Sequence, residues 1–429
     1  MNIAKRLALG LSALTLRGLA ALPPGSIAAT AQRHEILDPN IRSLQVIADN
    51  DWRRMPIIGL RGGQLSVSFD DLTHEYHRYA YRLTHCEADW KPSEALFESD
   101  YCDGFASGNT IDDVQESILT NTLYTHYRLT LPNGQCAMKR SGNYLLTIYD
   151  ENDDDREVAR IAFMVTEPAE AQMGVGLKVL TNTDATINQH HQQVEMEVGY
   201  GGYRVTDPQR QITTVVLQNQ RWDDARWNAR PQYTMADGLR WSHCGDYLFW
   251  AGNEYRKFEM PSTDVAAMGV DRIDWDGTQY HAYPWTGEPR PNYIYDPDAD
   301  GAFVIRNSDN YHANTESDYL LVHFRYRCEK PFQEAVYLNG NFTQDRFLPQ
   351  YRMEYHAETQ SYECNVPLKL GYYNYQLLMI DEAGRPALLP TEGNFYQTEN
   401  SYQALVYYRP IGGRTDQLVG YAQMKCNER

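Results

Sequence analysis

The chain has 429 residues, with 57 acidic against 39 basic side chains, a formal charge of −18 and seven cysteines. So acidic a composition offers no electrostatic footprint for nucleic acid or for an anionic lipid surface. The cysteines include no C-x-x-C, which excludes the common zinc signatures and makes any disulfide an accessory to the core.

Residues 1–31 read as an export signal. Lys5-Arg6 gives the positive start, Leu7–Leu16 the apolar stretch, and Ala29-Thr30-Ala31 the small-residue cleavage site before Gln32. A membrane span needs about 20 apolar residues, more than this segment has, and no Cys occurs before Cys86 to carry a lipid anchor. Removal takes three basic residues and no acid, which moves the charge to about −21. About 400 residues remain, room for two or three domains of about 100–150 residues each.

A first module is expected over residues 32–168. Leu65-Ser-Val-Ser-Phe69 alternates as a half-buried strand and runs into Asp70-Asp71, read as a turn. Tyr127, Leu129 and Leu131 alternate with Arg128 and Thr130. The segments Asn143–Tyr149 and Arg160–Val165 add two strands around the turn-rich 151–155. Strands of this length with polar turns between them predict a β-sandwich.

A second sandwich is expected over 169–310. Val194-Glu-Met-Glu-Val198 and the β-branched Ile212–Leu217 are its clearest strands, and Gly199–Tyr203 reads as a bulge or bend. The aromatic and proline-rich 275–297 has little periodicity; it reads as an insert that either covers a sheet edge or meets a partner. The third module, 311–429, has the cleanest pattern. Leu320, Val322, Phe324, Tyr326 and Cys328 share one phase, as do Tyr362, Cys364 and Val366, and then Tyr373, Tyr375, Leu377 and Met379. Cys328 and Cys364 thus face inward on two strands, as a bridge or as buried thiols. Cys86 and Cys102, flanking a loop, form a second candidate pair. Near the end, the ordered aromatic loop 391–402 runs into the apolar Gln403–Tyr408, a buried strand stopped by Arg409-Pro410. No amphipathic helix of more than about ten residues appears outside the export signal. The chain is predicted to be all-β, three consecutive immunoglobulin-like β-sandwich modules.

Reactive chemistry is sparse. The pairs Asp70-Asp71, Asp112-Asp113 and Asp223-Asp224 and the run Asp153–Asp155 read as turn acids, because glycosidase carboxylates pair in space and not in sequence. His190-His191 lacks a third metal ligand at a suitable spacing, and no G-x-S-x-G, H-E-x-x-H or phosphate loop is present. Asp296-Pro-Asp298-Ala-Asp300-Gly301 resembles the opening of a calcium loop, with Asp296, Asp298 and Asp300 as ligands. Its twelfth position is Asn307 in place of the bidentate Glu, and a plain turn also explains it. Trp222, Trp227, Trp241 and Trp250 fit either a sugar-stacking platform or core and cross-strand pairs.

As an ordered series these phrases resemble a known family. His85-Cys-Glu-Ala-Asp-Trp90-Lys-Pro-Ser93, Asp103-Gly-Phe105, Tyr124–Leu129 and Ser141–Tyr144 are similar to the first module of the type IX secretion system plug proteins of Bacteroidetes. The likeness continues through Gly201-Gly-Tyr203, Gln218–Asp223, Ala251-Gly-Asn-Glu254, Gly371–Tyr375, Glu392–Tyr396, Thr398-Glu-Asn400 and Val406–Pro410. It implies a periplasmic, non-enzymatic protein at the inner face of the outer membrane that seals the periplasmic opening of the translocon barrel. It implies no cofactor, nucleic acid, membrane insertion or small-molecule substrate. Aromatic residues expected at the partner contact are Trp275, Tyr283, Trp285, Tyr293, Phe395 and Tyr396. An alternative comes from Val336–Phe342 and Gly371–Gln376, which resemble a starch- and glycogen-binding module and give the third module an E-set or starch-binding-like character. That reading implies a periplasmic glycan binder, although Thr343–Arg352 lacks the Trp such modules carry.

Overall fold

The computed structural model describes residues 31–428, so the export signal lies outside the described residues apart from its last position. The all-β expectation holds. The described α-helices are single turns of four residues, such as Glu98–Tyr101 and Pro208–Gln211, and none is long and apolar enough to cross a membrane.

The strands pack as three two-sheet units. In the first, Ile41–Ala48, Leu65–Asp71, Thr125–Leu131 and Asp113–Glu116 form one sheet. The other is built on Arg156–Thr166, Gly142–Asp150, Tyr79–Cys86 and Ser107–Thr110, with Glu35–Ile36 and a parallel Ile57–Gly59 at its margin. The alternation read from sequence fills their shared core: Leu65, Val67, Phe69, Tyr127, Leu129 and Leu131 are all buried there.

The other two units do not follow linear order. Strands Gly174–Leu180, His191–Gly199, Gly238–Trp241, Tyr233–Thr234 and Leu248–Trp250 make one sheet of the second sandwich. Its opposing sheet is Arg226–Trp227, Ile212–Gln218, Asn400–Tyr408 and Gln417–Cys426. The last two strands of the chain therefore complete the second sandwich, pairing Thr214 with Val406 and Val216 with Ala404. The third sandwich is inserted between the halves of the second. It begins with Arg256–Met260 on Gly371–Ile380 and ends with Pro386–Leu388. The boundary read at 169 falls between Arg156–Thr166 and Gly174–Leu180, where the second sandwich begins, but the one at 311 falls inside the third sandwich, because periodicity marks strands but not their partners.

The predicted insert 275–297 is also redrawn. Its first half is a hairpin, Val270–Trp275 with Tyr280–Pro284, and the second of these strands lies parallel to Tyr319–Arg327. It is the margin of one of the third sandwich's two five-stranded sheets, not a loop laid over one. Only the part from Trp285 to Pro297 is irregular.

Strand Asn400–Tyr408 explains why so continuous an apolar run was needed. All nine residues are buried. Tyr402, Ala404, Val406 and Tyr408 enter the second core, while Leu405 and Tyr407 point the other way. There they meet Met55, Ile57, Ala88, Trp90, Ala162 and Met164 of the first sandwich. A strand covered on both faces loses the polar alternation of a solvated one.

Candidate partner-binding surface and the seams behind it

Three seams hold the sandwiches against one another, each with polar groups at its centre. Between first and third, Lys369 Nζ lies 2.6 Å from Asp70 Oδ2, and both side chains are 1% exposed. Tyr319 donates its hydroxyl to Asp70 Oδ2 at 2.6 Å, His126 Nδ1 is 2.6 Å from Asp70 Oδ1, and Lys369 also sits 3.9 Å over the Tyr124 ring. Burial alone would push the Asp70 carboxyl up; Lys369 and His126 more than offset it and hold it below the usual range. Nearby, Asp318 accepts the main-chain N–H groups of Asn121 at 2.7 Å and Thr122 at 2.9 Å.

Asp70-Asp71 is therefore not a solvated turn. It ends the strand Leu65–Asp71, with both acids buried. Asp70 is on the phase opposite Leu65, Val67 and Phe69, a face that would be wet in an isolated sandwich. Here the third sandwich covers it, together with Gln45, Ser68 and His126. Asp223, also read as a turn acid, is likewise buried, paired with Arg221 at 2.5 Å.

The second and third sandwiches are joined by two chain crossings, Ala251–Tyr255 outward and Leu389–Glu399 on return. They are laced side by side. Gly252 N donates to Asn394 Oδ1 at 2.8 Å and Phe395 N to Gly252 O at 2.8 Å. Thr398 Oγ1 donates to Gly252 O at 2.9 Å and Asn253 Nδ2 to Glu392 O at 2.8 Å. Glu392 is gripped by Arg256 (2.7 and 3.0 Å) and Arg290 (2.7 Å). Burial opposes its charge, but the two guanidiniums hold its carboxyl below the ordinary value. The phrases Ala251–Glu254 and Glu392–Asn400, unexplained by periodicity, are these two crossings.

Between first and second, Arg409 reaches Asp416 at 2.9 Å and also pairs with Glu87. Asp416 accepts Ala88 N–H at 2.9 Å, and Tyr407 donates to Asn143 Oδ1 at 2.8 Å.

The six aromatics assigned to a partner sort into two groups by what they touch. Trp275 is 48% and Trp285 64% exposed on the hairpin margin, Trp275 resting on Tyr280 at 4.6 Å between ring centroids. Tyr283, on the same hairpin, is covered by His323 (4.5 Å) and Arg272 (3.7 Å). Tyr293, Phe395 and Tyr396 belong to the crossings: Tyr293 donates to Glu254 Oε1 at 2.6 Å and lies 6.0 Å from the Phe395 ring. Tyr396 N donates to Gln189 O at 2.8 Å. Only the two tryptophans present broad open faces.

The other candidates are placed as follows. Asp296 pairs with Lys257 at 2.5 Å, whereas Asp298 accepts the N–H of Asp300 at 2.7 Å and that of Tyr255, closing a turn. Among the described residues no group of three or more His, Cys, Asp or Glu could hold a metal ion. His190 is bonded to Asn394 O at 2.7 Å. Trp241 is buried, Trp222 packs between Trp90 and Trp227, and Trp250 lies against His191, so the four tryptophans form no single platform. Phe342, Tyr373 and Tyr375 are core residues of the third sandwich, with no free ring face for a sugar.

Neither expected cysteine pair is joined. Cys364 lies opposite Phe324 and Cys328 opposite Gln360. That offset of four residues, about 13 Å along a strand, is well beyond disulfide reach. Cys102 has its sulfur against Cys136, not Cys86. All seven cysteines are buried and free.

Comparison with known proteins bears on the whole arrangement. No curated protein matches the chain. A crystal structure of a hypothetical protein from Parabacteroides merdae is similar over 92% of this chain and 99% of its own, at 37% identity and a TM-score of 0.88. Residues 41–167 match the family described as the type 9 secretion system plug protein first domain, which is the first sandwich. This ties the protein to type IX secretion and to the cell envelope. The chain belongs to the type IX secretion system plug protein family.

Proposed function

We propose that the protein is a non-enzymatic stopper that closes the periplasmic opening of the outer-membrane type IX translocon barrel and leaves it when the pore is in use. The observation that supports this best is mechanical. Each sandwich is fastened to both of the others through bonded polar groups: the buried Asp70–Lys369 pair, the buried Glu392 with Arg256 and Arg290, and the part-exposed Arg409 with Glu87 and Asp416. A body without a free hinge can block a wide pore without deforming. A releasable contact needs only a moderate interface with a few aromatic anchors. Trp275 on a well-supported hairpin and Trp285 just past its end, both exposed, are the residues we assign to that contact.

The informative comparison is between host cells with and without this protein, scored for entry of a large polar dye or antibiotic. Deletion is expected to raise entry, and the rise should vanish when the barrel is deleted too. Equal entry in all strains would refute the seal. Deleting all of 275–297 is a poor test of the contact, because it removes a strand paired with Tyr319–Arg327. The double substitution Trp275→Ser, Trp285→Ser leaves that pairing intact. It should reduce capture of the barrel at least tenfold while the melting temperature stays within about 2 °C, since exposed positions contribute little to stability.

A further inference from the structure

Among the seven cysteines one pair stands apart. Cys102 and Cys136 lie Sγ to Sγ at 3.4 Å, Cys102 also reaching Asp103 O at 3.5 Å, whereas the sulfurs of Cys86, Cys328 and Cys364 meet main-chain carbonyl oxygens and no second sulfur. The pair occupies two short strands, Cys102–Gly104 and Cys136–Met138, which form a two-stranded ribbon of their own. Cys102 is opposite Met138 and Cys136 opposite Gly104, so the sulfurs meet on the diagonal of the ladder. The backbones are held close there: Gly104 has φ +91°, and a Cβ on it would lie 2.0 Å from the Gln135 carbonyl oxygen. Both sulfurs are buried in the first core with Tyr81, Tyr101 and Tyr144. The ribbon has only three residues a side, too few to hold together through its ladder alone.

We propose that Cys102 and Cys136 are a disulfide site, closed in an oxidising compartment to clasp this ribbon onto the end of the first sandwich. The sulfurs need only approach from 3.4 Å to a bonded separation of about 2.05 Å. The step is thiol–disulfide exchange: two S–H bonds are lost and one S–S bond forms. Two electrons and two protons pass to a disulfide oxidant, which leaves as two thiols. Burial pushes the Cys136 thiol well above its ordinary range, so exchange belongs to the stage of folding at which the ribbon is still open to solvent.

This inference does not depend on barrel sealing, and its test uses the full mature chain alone. The protein is refolded in a reduced/oxidised glutathione buffer, unfolded, alkylated without reductant and mapped by mass spectrometry. An acid-directed protease is used because it cuts at Glu87, Asp89 and Glu94, between Cys86 and Cys102. The expected result is one linked peptide pair, Cys102 with Cys136, and alkylation of the other five cysteines. Alkylation of all seven, or a link from Cys102 to Cys86, would overturn the proposal. Reductant should lower the melting temperature of the oxidised protein by about 3–5 °C, and Cys136→Ser should abolish that sensitivity. If the variant does not fold, the peptide map of the unaltered chain still decides.

Discussion

Lys369 shows what a single side chain does at a covered face. Its ammonium has left water for Asp70 and the Tyr124 ring, so removing it strands a carboxylate inside the protein. Lys369→Met is expected to destabilise by about 3–5 kcal/mol, while replacing Asp70 and Lys369 together by apolar residues should cost much less; urea denaturation of the three variants would measure both. Asp300 acts in the opposite sense. Burial pushes its carboxyl up to about 7, and Glu399, Glu254 and Glu428 push the same way against Lys425. A folded-state value above the unfolded one means that the fold favours the protonated acid. The associated stability is complete below the unfolded value, near 3.8, and is lost as pH rises through about 7. The melting temperature is therefore expected to fall between pH 5 and pH 8, and Asp300→Asn should flatten that decline. A slope unchanged in the variant would show that other groups govern it. The two acids differ in how readable they were. Asp70 followed a clean alternation and looked like a strand ending in a turn; nothing local records that a distant sandwich covers its outer face.

Among the elements, the strand Asn400–Tyr408 and the crossing before it have the widest reach. The strand was readable as buried because apolar residues fill both phases, but its partner was not, since the pairing with Ile212–Gln218 spans nearly half the chain. The recurring Gly, Asn and aromatic phrases of the crossings were visible as family marks. Their geometry was not, because side chain-to-backbone bonds such as Asn394 to Gly252 leave no periodicity. Leu405 faces the seam with the first sandwich, so Leu405→Ala should cost about 2–5 kcal/mol. Glu392→Gln should cost about 2–4 kcal/mol by leaving the part-buried Arg256 and Arg290 without their counter-charge. If the crossing is the stiff joint described above, hydrogen exchange at Gly252 and Phe395 should quicken in that variant before exchange in either sandwich core does.

For the whole molecule, shared strands and double-faced seams predict one calorimetric unfolding transition, not three. Three resolved transitions would mean that the seams carry little coupling. The strand content and the inward faces of the strands were readable because each rests on local alternation. The nesting of one sandwich within another was not, because it is a matter of which edges meet. That nesting imposes an order of assembly. When the chain is supplied from its N-terminus, Ile212–Gln218 emerges with one flank unmatched, and about 180 residues, including all of the third sandwich, must follow before Asn400–Tyr408 arrives. The cost of closing so long a span rises only slowly with its length, but the waiting flank is a template for unwanted pairing. A chain cut just before Asn400 should leave the third sandwich able to form while the second remains open-sided and prone to aggregate, so the final thirty residues act as the molecule's latch.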